Sequence, residues 1–309
     1  MVDALRAALP ALLLVAGSVV WAESGPLEIR ISGEISAAER DALTDWVERS
    51  ANALSTVTGE FPIPRARIRV SPTGPGGGPV PWARVQRGQV EGIHFYITPG
   101  YDPADYWQDW TALHEFSHLL IPYPGHEDIW FSEGLASYYQ NLLRGRVGVV
   151  SPGRALEELD AGFRRGQRDA QRKDRSLREL SPAMWRTGSY MRVYWSGAAY
   201  FLAVDLALRQ RDQAPHSLDQ VLARFVDCCR NTRRHWDAQA LIATFDRLAG
   251  GTLFEQHYRA IIDDRAFPDL DASYRWLGLT RQGSGLRLDP APPYPARRQA
   301  LFTAEHPMP

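Results

Sequence analysis

The sequence predicts an α+β fold: a small mixed sheet toward the N-terminus, then a mostly helical half. Three observations predict it. Before residue 100, apolar residues alternate in three short stretches, the period of half-buried strands. From Pro103 onward they recur every three or four residues, the period of buried helix faces. Within that helical part, His114-Glu-Phe-Ser-His118 places two imidazoles four residues apart. On a helix such residues share one face.

Taken in order, residues 1–22 read as a signal peptide. Arg6 precedes the apolar stretch 7–20, and Val20 and Ala22 occupy the positions three and one before a peptidase cut. The stretch is too short to span a bilayer comfortably. The expected location is therefore secreted or periplasmic, with no stable membrane insertion once the signal is removed. Residues 27–32 alternate as a strand, and 36–54 carry a helical stripe of Leu43, Trp46, Val47 and Leu54. Ser36 and Glu39 have capping-box spacing at its start. Residues 65–70 and 90–98 read as two more strands, with the Gly- and Pro-rich loop 72–81 between them. Together 23–100 form an N-terminal α/β layer.

The region 101–265 reads as helices over 105–121, 129–143, 154–172, 190–211, 217–229, 237–249 and 254–263. Residues 266–309 form the C-terminal tail, which from Ser273 reads as short strands or loops. Cys228 and Cys229 are adjacent. They read as buried or free thiols, with a vicinal disulfide as the alternative in an oxidising compartment. The net charge of −1 gives no electrostatic reason to expect nucleic acid as a partner.

The chemistry concentrates in two helices. His114 and His118 can grip one zinc ion, and Glu133, in the aromatic segment 130–139, can supply a carboxylate from the next helix. Three protein ligands leave a coordination place open, as in hydrolytic rather than structural zinc sites. Glu115 points to the side of the histidine pair, where it can reach a water rather than the metal. Ser137, one turn past Glu133, is a candidate to orient a ligand. Asp205 and Arg209, four apart, are expected to pair along their helix.

At these residues the chain resembles the gluzincin zinc peptidases, with similarity to the catalytic domains of the aminopeptidase N and glycyl aminopeptidase families. The shared pattern is His-Glu-x-x-His followed by Trp130-Phe-Ser-Glu-Gly-Leu-Ala-Ser-Tyr138 on the next helix. The resemblance implies a thermolysin-like domain, with His114, His118 and Glu133 as ligands of one Zn2+ and Glu115 as general base. Downstream, Arg192-Val-Tyr-Trp-Ser-Gly-Ala198 is similar to the family's Tyr-x-Lys-Gly segment, with Ser196 in place of lysine. That implies a catalytic role for Tyr194, for which Tyr190 and Tyr200 compete. In this clan an edge strand pairs with extended substrate. The strand before the zinc helix takes that place, so Gly92, Ile93 and His94 are the expected substrate-binding residues. In that register Phe95 falls where aminopeptidase relatives carry an amine-binding glutamate. The resulting expectation is a zinc peptidase cleaving within peptides. Its rivals are an aminopeptidase anchored by Glu91 or Glu127, and a metal-containing peptide-binding protein that does not turn substrate over.

Overall fold

The structure, a computed structural model, describes residues 21–214 and 216–306; residues 1–20 of the expected signal lie outside the described residues. Five strands, β1 (Trp21–Ser24), β2 (Leu27–Ile31), β3 (Ala66–Pro72), β4 (Trp82–Gln86) and β5 (Gly92–Ile97), form one sheet in the order β1-β2-β3-β5-β4. The three inner strands run parallel, and β1 and β4 lie antiparallel at the two edges. A cut after Ala22 would remove half of β1. The inner strands follow the alternation of the sequence. Ile29, Ile68, Val70, Ile93 and Phe95 are buried beneath helices, and their neighbours form the opposite, polar face.

Strand β4 corrects the expected substrate edge. It follows directly on the Gly/Pro loop and covers β5, which is therefore an inner strand. Gly92 lies so close to β3 that a Cβ would overlap the Arg67 carbonyl. Ile93 is buried, and His94 shares a 2.9 Å hydrogen bond with Ser71. None of the three can pair with a substrate through a free edge. Phe95 packs edge-on against Trp46 in the core, so the register that set it at an amine-binding position does not hold.

Helix α1 (Ala37–Thr58) starts at Ser36, whose hydroxyl accepts the Glu39 N–H. The second half of a capping box is absent. Glu39 instead accepts the Gly100 N–H at 2.9 Å, tying α1 to the segment before the site. The expected helix 105–121 is three pieces: α2 (Pro103–Gln108), α3 (Thr111–Ser117) and a 3₁₀ turn, His118–Leu120. The break falls at Asp109, whose backbone is extended and whose carboxylate accepts the Thr111 N–H at 2.8 Å. Such side chains compete with the helical ladder and so favour helix starts over interiors.

The helical half continues with α4 (Ile129–Arg146), α5 (Pro152–Lys173), α6 (Leu177–Leu180), α7 (Met184–Thr187), α8 (Tyr190–Arg209) and α9 (Leu218–Phe225). A π turn, Val226–Arg230, precedes α10 (Ala238–Ala249) and α11 (Leu253–Ile261). The tail is more ordered than expected. Helices α12 (Asp271–Leu277) and α13 (Tyr294–Phe302) flank a hairpin of β6 (Leu279–Gln282) and β7 (Gly285–Leu288). No described helix is long and apolar enough to cross a membrane. Cys228 and Cys229 are joined by a disulfide within the π turn, at the surface. That settles the reading of the pair against buried thiols.

Helices α4 and α8 meet backbone to backbone. A Cβ on Gly197 would overlap the Trp130 carbonyl and lie 2.6 Å from the Gly134 Cα. Both glycines stand beside candidate site residues, Gly134 next to Glu133 and Gly197 one turn from Tyr194. The close approach is thus what brings Glu133 and Tyr194 together. Behind it, Asp205 accepts from Tyr138 at 2.7 Å and from Arg209 at 3.1 Å, the expected pair among them. Asp219 likewise accepts from Tyr139 and Arg146, both at 2.7 Å. Gly197→Ala should destabilise the protein by about 1–3 kcal/mol, the usual cost of overpacking a close contact. Denaturant unfolding measures it, and an unchanged midpoint would refute the close-packing argument.

Candidate metal centre and active-site cleft

His114 lies on α3, His118 on the 3₁₀ turn that follows and Glu133 on α4. Their donor atoms all lie within 4.8 Å of one another. Glu133 Oε2 is 3.3 Å from His114 Nε2 and 3.6 Å from His118 Nε2. All three side chains are mostly or fully buried, as the expected set requires.

Each imidazole is oriented by a second hydrogen bond, and both partners come from α4. His114 Nδ1 lies 2.8 Å from Gln140 Oε1, and His118 Nδ1 lies 2.9 Å from the Ser132 hydroxyl. With Nδ1–H donating, each Nε2 keeps its lone pair for the shared centre. Ser137 is not one of the orienting groups; its buried hydroxyl has no hydrogen-bond partner. Gln140 lies seven residues past Glu133, two turns along the same face. That spacing was the available signal for it. Gln140→Leu should weaken zinc affinity by about 10–100-fold, the usual effect of losing such a partner. Competition with a chromogenic chelator measures this, and unchanged affinity would show that Gln140 does not set the His114 ring.

Two arginines hold the 3₁₀ turn from outside. Arg87 donates to the His118 carbonyl at 3.0 Å, and Arg230 donates to the Leu119 carbonyl at 3.0 Å. Glu91 pairs with both, at 2.8 Å from Arg230. These charge-assisted bonds satisfy carbonyls that the end of a helix leaves open. They also occupy Glu91, so it cannot anchor a substrate amine. Glu127 is exposed in the turn before α4 and does not line the cleft.

Glu115 stands beside the ligands, and the Val85 N–H on the outer edge of β4 reaches its carboxylate. Burial pushes its pKa up to about 7, with His114 opposing and Glu133 adding. Burial drives His118 down to about 3, helped by His114 and Arg87 against Glu133. It is thereby kept neutral, as a ligand must be. His114 is also penalised by burial, but the hydrogen bond and charge of Glu133 outweigh this and raise its pKa. Tyr194 stacks over His114 at 6.1 Å and hydrogen-bonds Glu133. Burial and that carboxylate hold the phenol protonated. Its competitors turn elsewhere. Tyr200 donates to the Phe254 carbonyl, and Tyr190 packs against Trp185.

These residues floor a cleft of about 650 Å³. Its wall is β4, from Trp82 to Val85, and Trp110, Tyr123 and Trp185 stand around it. Sequence reasoning missed this wall.

Comparison with known proteins agrees with this architecture. In domain match and in fold the chain is similar to zinc metallopeptidases of the gluzincin class. Within it, residues 124–199 match the model of the M61 glycyl aminopeptidases. That segment takes in Glu133 and Tyr194 but not the two histidines. No curated protein matches the chain. The aminopeptidase N family protein from Idiomarina loihiensis overlays with TM-score 0.65 at 19% identity, over 86% of this chain and 50% of that one. Yeast LTA4 hydrolase in complex with bestatin overlays with TM-score 0.55 at 13% identity, over 85% and 43%. The chain therefore spans about half the length of these proteins or less.

Proposed function

We propose that the chain is a zinc peptidase that cleaves within peptides laid along β4. The carrying observation is the convergence of His114, His118 and Glu133, each imidazole already oriented, on the floor of a cleft walled by a free strand edge. The donor set suits zinc: two imidazole nitrogens and one carboxylate, buried, with an open side toward the cleft. Held there, the ion would supply Lewis acidity toward water and the peptide carbonyl.

The chain's own groups would do the rest. The unpaired edge of β4 aligns extended substrate by backbone hydrogen bonds. Glu115 takes a proton from the attacking water and delivers it to the leaving amine nitrogen, work suited to a carboxyl that titrates near neutrality. Tyr194 donates its O–H to the oxyanion. The site draws on residues from Trp82 to Tyr194, so the catalytic region crosses the boundary expected at residue 100. A secreted or periplasmic location fits both the apolar stretch 7–20 and the Cys228–Cys229 bond, which an oxidising compartment preserves.

Internal cleavage is favoured because Glu91 is committed elsewhere and β4 carries no carboxylate. One observation supports an aminopeptidase instead. Asp109 lines the cleft, half-buried, its pKa raised by burial. It is the one cleft carboxylate outside the proposed zinc and proton machinery. The test is metal analysis of purified protein together with cleavage of a peptide library in free and N-acetylated form. One zinc per chain and cleavage of both forms are expected. Cleavage confined to free N-termini and abolished by Asp109→Asn would move the assignment to the aminopeptidase. Metal-free protein that is inert on every peptide would remove the hydrolase reading.

A further inference from the structure

The polar face of the sheet carries positive charge that ends at the cleft. Strand register places Arg69 beside His94 and His94 beside Arg84. Glu28, a carboxylate on this face, is held by Arg65 and Arg67. Arg69 and Arg84 have no carboxylate partner among the described residues. Arg69 Nε is buried without a hydrogen bond, and Arg84 lies over the Trp82 ring, 5.7 Å from its centroid. Both arginines, after burial, hold the His94 pKa down, as a locally positive field must. The chain as a whole carries −1, so the field belongs to this face.

A second cavity, about 560 Å³, opens beside β4. Arg67, Arg84 and Arg87 line it and no carboxylate does. It shares Arg84, Val85 and Arg87 with the catalytic cleft. The reading of β4 as the substrate-pairing strand, on which this inference rests, links the two. A strand added to the outer edge of β4 would alternate its side chains between the two faces of the sheet. Every second side chain would then stand over the polar face, next to Arg84 and one strand from His94.

We infer that this row and its cavity form a subsite for acidic peptides, selecting substrates with Asp or Glu at alternate positions along β4. A lysine there would meet Arg84 without a carboxylate to relieve it.

The probes are two fluorogenic peptides, identical except for Glu or Lys at alternate positions on one side of the cleaved bond. kcat/KM is measured for wild type and Arg84→Glu at low and high salt. Binding of both peptides to Glu115→Gln protein is measured by fluorescence anisotropy. The Glu peptide should be favoured about two- to fivefold, the scale of one exposed ion pair. The preference should shrink at high salt and reverse in Arg84→Glu, and binding should show the same order. Equal handling of the two peptides by wild type overturns the subsite, as does a preference that Arg84→Glu leaves intact. Cleavage without preference would leave the peptidase standing and remove the subsite. Preferential binding of the Glu peptide, lost in Arg84→Glu but without cleavage, would do the reverse.

Discussion

Glu115→Gln is expected to lower kcat by about 10²–10⁴-fold, the range that positioned proton transfer contributes, while zinc stays stoichiometric. The carboxylate is not one of the three converging donors, so its loss should not cost the metal. Glutamine keeps the shape and can still accept the Val85 N–H, but it cannot take a proton from water. Its neutrality also removes a buried charge, so folding should not suffer. The measurement pairs kcat on a fluorogenic peptide with zinc content by atomic absorption. Activity within a few-fold of wild type would mean that another group moves the proton. A protein built only to bind peptides would show no difference between the two forms on any substrate.

How much of this site was legible depends on the range of the interactions involved. His114, His118, Glu115 and Glu133 were readable because helical spacing is local and the donor types are distinctive. Tyr194 was readable only as one of three tyrosines; the choice waited on the α4–α8 contact, which turns Tyr200 toward Phe254 and leaves Tyr194 over His114. Strand β4 was not readable. It is five residues long, and its largest apolar residue, Trp82, lies on the polar face stacked on Tyr96. The alternation therefore runs against the usual apolar-in pattern. Its position at the edge is a fact about pairing order, which no local period carries. That one omission displaced the substrate strand to Gly92, Ile93 and His94. The expectation for Ser137 failed for a smaller reason, with Ser132 taking the role instead. Both are near Glu133 in sequence, and only the packing of α3 on α4 decides which hydroxyl meets an imidazole.

Chelation should abolish activity and lower the melting temperature of the wild type, and Glu133→Gln should erase that response. A ligand that binds only the folded state at a thousandfold above its Kd stabilises by about 4 kcal/mol. For a domain of this size that corresponds to several degrees. The fold should survive the loss. Without a cation, Glu133 is still compensated: against burial, the facing imidazoles and the hydrogen bonds of His114 and Tyr194 keep its pKa low. Arg87 and Arg230 continue to hold the turn that carries His118. Glu133→Gln removes one of three ligands and with it most of the affinity, so scans with and without chelator should coincide. The variant's own stability should stay near that of metal-free wild type, since a neutral amide avoids the cost of burying a carboxylate. Differential scanning fluorimetry of the two proteins, each with and without dipicolinate, gives the four values required. Equal shifts in both would place the metal elsewhere. No shift in the wild type, with activity intact, would show that these three side chains hold no functional ion.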